Sequence, residues 1–65
     1  MKYKLEMVLD NAAFRNDDGS INAGEIARVL RGEADELERS DLNCGDLGVL
    51  HDINGNRVGT VKVIR

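Results

Sequence analysis

Between Lys2 and Leu9 apolar and polar positions alternate, with Tyr3, Leu5, Met7 and Leu9 on one side and Lys2, Lys4, Glu6 and Val8 on the other. A period of two predicts a half-buried strand, which Asp10-Asn11 ends. Ala12-Ala13-Phe14 follows as a short apolar turn, with Phe14 placed to plug one end of a core. After the polar cluster Arg15 to Ser20 the period changes. Ala23, Ile26, Ala27, Leu30, Ala34 and Leu37 recur at i, i+3 and i+4, which predicts an amphipathic helix from Ala23 to about Arg39. Asn22 is the expected N-cap, Glu25 three residues on completes a capping box, and Ile21 with Ile26 makes a hydrophobic staple. Val29 sits at the edge of the apolar arc, and Glu33 interrupts its middle. The outer face carries Arg28, Arg31, Asp35, Glu38 and Arg39, with Arg31–Asp35 and Asp35–Arg39 at i, i+4.

Ser40 to Gly45 reads as a loop. Leu47–Ile53 and Arg57–Ile64 read as two strands around Asn54-Gly55, a pair suited to a two-residue turn because both central positions want positive φ. In that register Asp52 faces Arg57 and His51 faces Val58. Gly48 and Gly59 leave room on the Leu50, Val61 and Val63 face, where a helix could approach. The order is β-α-β-β. A right-handed crossover makes the first two strands parallel, and the last strand lies between them, antiparallel to the second. The predicted fold class is α+β: a three-stranded sheet with one helix on one face, within a single domain covering residues 1–65.

A core of this size leaves only a few kcal/mol of net stability, so all elements must share one centre. There is little room for a buried catalytic cleft with supporting residues, and an enzyme is not expected. No apolar run approaches a membrane span. The opening Met1-Lys2-Tyr3-Lys4-Leu5-Glu6 lacks the apolar stretch of a signal peptide, so a cytoplasmic protein without membrane association is expected. Cys44 is the only cysteine, which excludes an intrachain disulfide, and with His51 as the only histidine it cannot build a structural zinc site.

The net charge of −3 hides an uneven distribution. Residues 10–52 hold eleven acids against four bases, whereas the two ends hold five bases and only Glu6 as an acid. If the ends form neighbouring strands, the molecule has an acidic helix-and-loop side and a mildly basic sheet side. That field argues against direct nucleic-acid binding by the helix.

Four groups of residues carry possible chemistry. Asp18-Gly19-Ser20-Ile21-Asn22-Ala23-Gly24-Glu25 is similar to the second half of an EF-hand calcium loop, with Asn16 as a further ligand and Glu25 as the distal one, but Phe14 stands at the first ligand position and has no side-chain oxygen. The same residues are explained by a turn and a helix cap. Asp52-Ile53-Asn54-Gly55-Asn56 is a second oxygen cluster, with Val63 where a distal Glu would stand; side chains bonding their own backbone account for it. His51 and Cys44 could in principle form a nucleophilic pair, yet nothing supplies an oxyanion site, and no catalytic residue, metal ligand or cofactor is assigned. The fourth group is the acids: Asp17 and Asp18 before the helix, Glu25, Glu33, Asp35 and Glu36 along it, and Asp41 and Asp46 beyond it. One reading makes them a solvated face. The other makes them a partner-binding surface on which carboxylates stand in for phosphates and occupy a basic nucleic-acid channel.

The C-terminal run Asp52-Ile53-Asn54-Gly55-Asn56-Arg57-Val58-Gly59 resembles the ending Asp-Ile/Val-Asn-Gly-Asn-x-Val-Gly of a set of very small phage and prophage proteins. These have an N-terminal strand, a short Asn-Ala-Ala-Phe-like turn, one amphipathic helix and this hairpin. The Arg15 to Ser20 turn departs from their pattern. Small acidic phage proteins of this kind include anti-CRISPR inhibitors, several of which block a surveillance complex by imitating DNA. The resemblance implies a stoichiometric inhibitor, acting as a monomer in the bacterial host's cytoplasm. Its partner would be a protein that binds nucleic acid, such as a Cas protein. Two alternatives stay open: a small phage accessory or structural protein whose sheet edge pairs with a partner, and an EF-hand-like calcium module.

Overall fold

Strands form where the period is two and a helix where it is 3.6. The computed structural model describes residues 1–41 and 45–65. It contains β1 (Lys2–Met7), a one-turn 3-10 helix (Ala12–Phe14), α1 (Ala23–Arg39), β2 (Leu47–His51) and β3 (Arg57–Ile64). The sheet order is β1-β3-β2, and β3 is antiparallel to both neighbours. The outer strands β1 and β2 therefore run the same way without pairing with each other. The class is α+β.

The hairpin differs from the expected two-residue turn. The Asp52 N–H donates to Asn56 O at 2.9 Å and the Gly55 N–H to Asp52 O at 3.0 Å. Gly55 alone takes positive φ in this turn, at 84°. This is a three-residue loop ending in a left-handed glycine. The cause is Asp52, whose Oδ1 accepts the N–H groups of Asn54 and Asn56 at 2.9 and 2.8 Å and so selects a turn that wraps its own carboxylate. The register moves accordingly: His51 pairs with Arg57, Leu50 pairs with Gly59, and Val58 is the extra, bulged residue. The bulge turns Val58 into the core, where it is 5% exposed. Residues 16–20 repeat the same backbone. The Asn16 N–H donates to Ser20 O, the Gly19 N–H donates to Asn16 O, Gly19 has φ 87°, and the Arg15–Ile21 bridge closes the loop.

Phe14 is fully buried at the centre of a cluster with Val29, Leu50, Val58 and Val61, and Leu5, Met7, Leu9 and Ile26 pack around it. The helix boundaries match the apolar pattern, but its orientation does not. The stripe turned inward runs through Glu25, Ile26, Val29, Glu33 and Leu37, while Ala23, Leu30 and Ala34 are exposed. The helix is thus rotated by about one residue step, ~100°, from the face that hydrophobicity alone selects. Two bonds from inward-facing acids hold it there, one to the hairpin and one to β1. Ile21 stays exposed, so the staple adds little. Gly48 and Gly59 make room for their own neighbours and not for the helix: a Cβ at Gly59 would land on the Glu6 carbonyl oxygen of β1, and one at Gly48 on the Val61 side chain.

Candidate partner-binding site

The N-terminal end of α1 is tied to the hairpin by buried charge. Asn22 caps the helix through Oδ1, which accepts the Glu25 N–H at 3.3 Å. The reciprocal half of the capping box is missing, because the Asn22 N–H donates to Phe14 O and Glu25 reaches elsewhere. Glu25 Oε2 accepts the Ile53 N–H at 2.8 Å. Arg28 grips the same carboxylate through Nε at 2.7 Å and Nη2 at 3.1 Å, and Nη2 also reaches His51 O at 3.4 Å. The Arg28 hydrogen bonds, aided by the Ile53 N–H, hold the Glu25 carboxyl below its usual range against the opposing effect of burial. Asp52, 4% exposed, also accepts from Asn11 Nδ2 at 2.9 Å and Asn56 Nδ2 at 3.1 Å. Burial pushes its carboxyl up, but the Asn56, Asn54 and Asn11 donors outweigh this and hold it low. Glu25 was expected on an outward acidic surface. At 6% exposure it is withdrawn from any partner, because the hairpin's backbone N–H needs an acceptor and Arg28 needs a counter-charge.

The same bonds disassemble the calcium-loop reading. Glu25 turns away from residues 16–20. Asn16 uses its amide as a donor, to Ser20 Oγ and Ile21 O. Asp18 Oδ1 accepts from the Ser20 N–H and Oγ at 2.9 and 2.6 Å, bonds that lower its carboxyl pKa. Among the described residues no group of three or more His, Cys, Asp or Glu side chains could hold a metal ion. Cys44 lies outside the described residues, and His51 is exposed.

Toward its C-terminal end α1 stands off the sheet and leaves a cleft of about 510 Å³. Its apolar walls include Val29, Leu37, Leu50, Val61 and Val63, and Glu33, Glu36 and Asp46 add carboxylates to its lining. Tyr3 bridges β1 to the helix here, its hydroxyl donating to Glu33 Oε2 at 2.9 Å. Partial burial, then the Glu33 hydrogen bond and charge, push the Tyr3 phenol up to about 12. The structure thus brings together three of the eight acids singled out. Asp35 lies on the far side of the helix and is exposed, as is Asp41, while Asp17 and Asp18 sit in the turn before the opposite helix end. These do not form one continuous acidic face with Glu33. The Tyr3–Glu33 link had one sequence signal, the acid breaking an apolar arc. The Glu25–Arg28 pair had its i, i+3 spacing. Nothing in the pattern pointed to Asn11 as a partner of Asp52.

No family model, curated protein or solved structure matches this chain. No helix of the described residues is long and apolar enough to cross a membrane.

Proposed function

We propose that this protein acts by stoichiometric binding to a protein partner, and that its acidic end occupies a cationic surface where the partner would otherwise hold nucleic acid. The observation that carries this reading is the gathering of Glu33, Glu36 and Asp46 along one cleft; Asp35 and Glu38 are exposed on the other side of the helix, and Asp41 is exposed beyond its end. Carboxylates on a rigid helix present charge at fixed spacing, which is what a phosphate-binding surface responds to. The phage-protein resemblance agrees with it and makes a Cas-type surveillance complex the first partner to test, with the protein acting as an anti-CRISPR inhibitor.

The test has two stages. Tagged protein is used to capture partners from a CRISPR-bearing bacterial lysate at low and high salt. The captured protein's DNA binding is then measured by gel shift as the inhibitor is titrated. Competition that Glu33→Lys, Asp35→Lys and Glu36→Lys together abolish in a folded variant supports the reading. A partner whose DNA binding is unaffected, or full inhibition by the triple variant, overturns it. One observation favours a second reading, a structural accessory protein. Edge strand β2 exposes Leu47 and Val49, at 77% and 44%, and such an edge can take an added strand. Under that reading Val49→Lys would abolish binding and the helix acids would not matter.

A further inference from the structure

We infer that this chain pairs with a second copy of itself along the free edge of β1, antiparallel and about a two-fold axis at Leu5, so that two three-stranded sheets join into one of six strands. β1 is an edge strand, paired with β3 alone. The Val8 N–H donates to Val58 O. Antiparallel alternation carried back from that bond turns the N–H and C=O groups of Lys4 and Glu6 toward β3, and those of Tyr3, Leu5 and Met7 outward. Among the described residues no other element supplies these three with a backbone partner.

The side chains of β1 select a copy of the same strand. With Leu5 facing Leu5 of the second copy, Tyr3 stands opposite its Met7 and Lys4 opposite its Glu6. The two-fold repeats each pairing, so the junction holds two Lys4–Glu6 contacts, both at the closely spaced positions between hydrogen-bonded pairs. Lys4 and Glu6 are exposed, and neither makes an ion pair among the described residues. Within one molecule the residue facing Lys4 is Lys62, and Glu6 faces Thr60. Lys2 lies on the same face, and Arg57 borders the same shallow depression as Glu6. Like charges directly opposite weaken a sheet, and the second copy brings Lys4 the carboxylate that β3 does not. Charges on an edge strand ordinarily guard it. Here they sit symmetrically about Leu5 with opposite sign, so a copy in this register meets attraction.

The inner face agrees. α1 packs on β2 and the 3-10 helix and leaves β1 half covered, with Tyr3 43% exposed and Leu5 and Met7 half-buried. Pairing closes this apolar surface of both copies along the junction. β2, the other edge, exposes Leu47 and Val49 but carries no acid, lysine or arginine to set a register. A junction of one six-residue strand falls short of the ~1,200–2,000 Å² of stable interfaces, so the pair is weak and forms as concentration rises. It replaces the monomer that the phage-protein resemblance implies. It uses none of the acids of the cleft, so its failure and that of the inhibitor reading are separate results.

Sedimentation equilibrium from about 5 μM to about 1 mM tests it, and the parent should pass from monomer to dimer across this range. Lys4→Glu and Glu6→Lys each put like charges at both contacts and should each weaken dimerisation by about tenfold or more. Mixed in equal amounts the two variants should pair again, because one supplies acids and the other lysines at the facing positions. Amide exchange on the parent, which needs no variant, should slow at Tyr3, Leu5 and Met7 as concentration rises and stay unchanged at Leu47 and Val49. A parent monomeric to about 1 mM overturns the inference. So does protection at Leu47 and Val49 instead of β1, undiminished dimerisation of either folded single variant, or no recovery when the folded variants are mixed.

Discussion

The two ends of α1 meet the rest of the molecule by different means. At the N-terminal end Glu25, Arg28 and Asp52 lock the helix to the hairpin over Phe14. Toward the C-terminal end the Tyr3–Glu33 hydrogen bond spans the cleft. Both ends place a carboxylate toward the sheet, yet the two are served unequally. Glu25 is buried and accepts three donor bonds, whereas Glu33 accepts from the Tyr3 phenol and lines the cleft. An inward acid is thus a fastening or a candidate contact according to how many donors the fold itself supplies.

The difference can be broken most severely at the locked end. Phe14→Ala empties the only fully buried side chain among the described residues and should cost about 3–5 kcal/mol, enough to unfold a domain this small. A cooperative urea transition within 1 kcal/mol of the parent would show that the core lies elsewhere. Glu25→Gln should come next, because it leaves Arg28 without its counter-charge. The same end should fail in acid. The folded Glu25 and Asp52 carboxyls lie below their usual range. Their stabilisation is therefore fully present above the ordinary carboxyl values, about pH 4–4.5, and is lost as the pH falls through the lowered folded values. Thermal melts from pH 7 to pH 3 should show the fall, and Glu25→Gln should flatten it.

At the open end the effects shrink. Leu37→Ala should cost only about 1 kcal/mol, since its methylenes are partly in water already. A loss as large as that of Phe14→Ala would mean that the cleft is closed in solution. The smallest stability change belongs to Tyr3→Phe, about 0.5–1 kcal/mol, but Tyr3 gives the sharpest signal. As the only tyrosine, it should titrate in ultraviolet absorbance near pH 12, and Glu33→Gln should bring the midpoint back toward 10. The raised value means that this contact is intact below about pH 10 and is lost as the pH rises toward 12. An unmoved midpoint would remove the strap.

Much of this was legible in the chain. Periodicity and the Asn54-Gly55 turn signal located the strands and the helix, and β3 was expected between the other two strands, where it lies. The rotation of α1 and the hairpin register were not legible, for one shared reason. Both are decided by carboxylates choosing among backbone donors: Asp52 among its own turn, Glu25 between the helix cap and Ile53. Hydrophobic patterns rank faces by transfer free energy and are blind to which N–H an acid will find. The acidic set lost Glu25 for the same reason, since the rotation turns it inward; Asp35 stays on the outer face, where the pattern had already put it.

Placing β3 between β1 and β2 also governs when the molecule can fold. The ribosome makes the central strand last of the three, and β1 must wait for a partner, its Lys2 pairing with Ile64 at the far end of the sequence. Until β3 emerges no two strands can pair, so the nascent chain holds at most a helix and isolated turns. Folding therefore waits for β3, with long-range closure as its slow step.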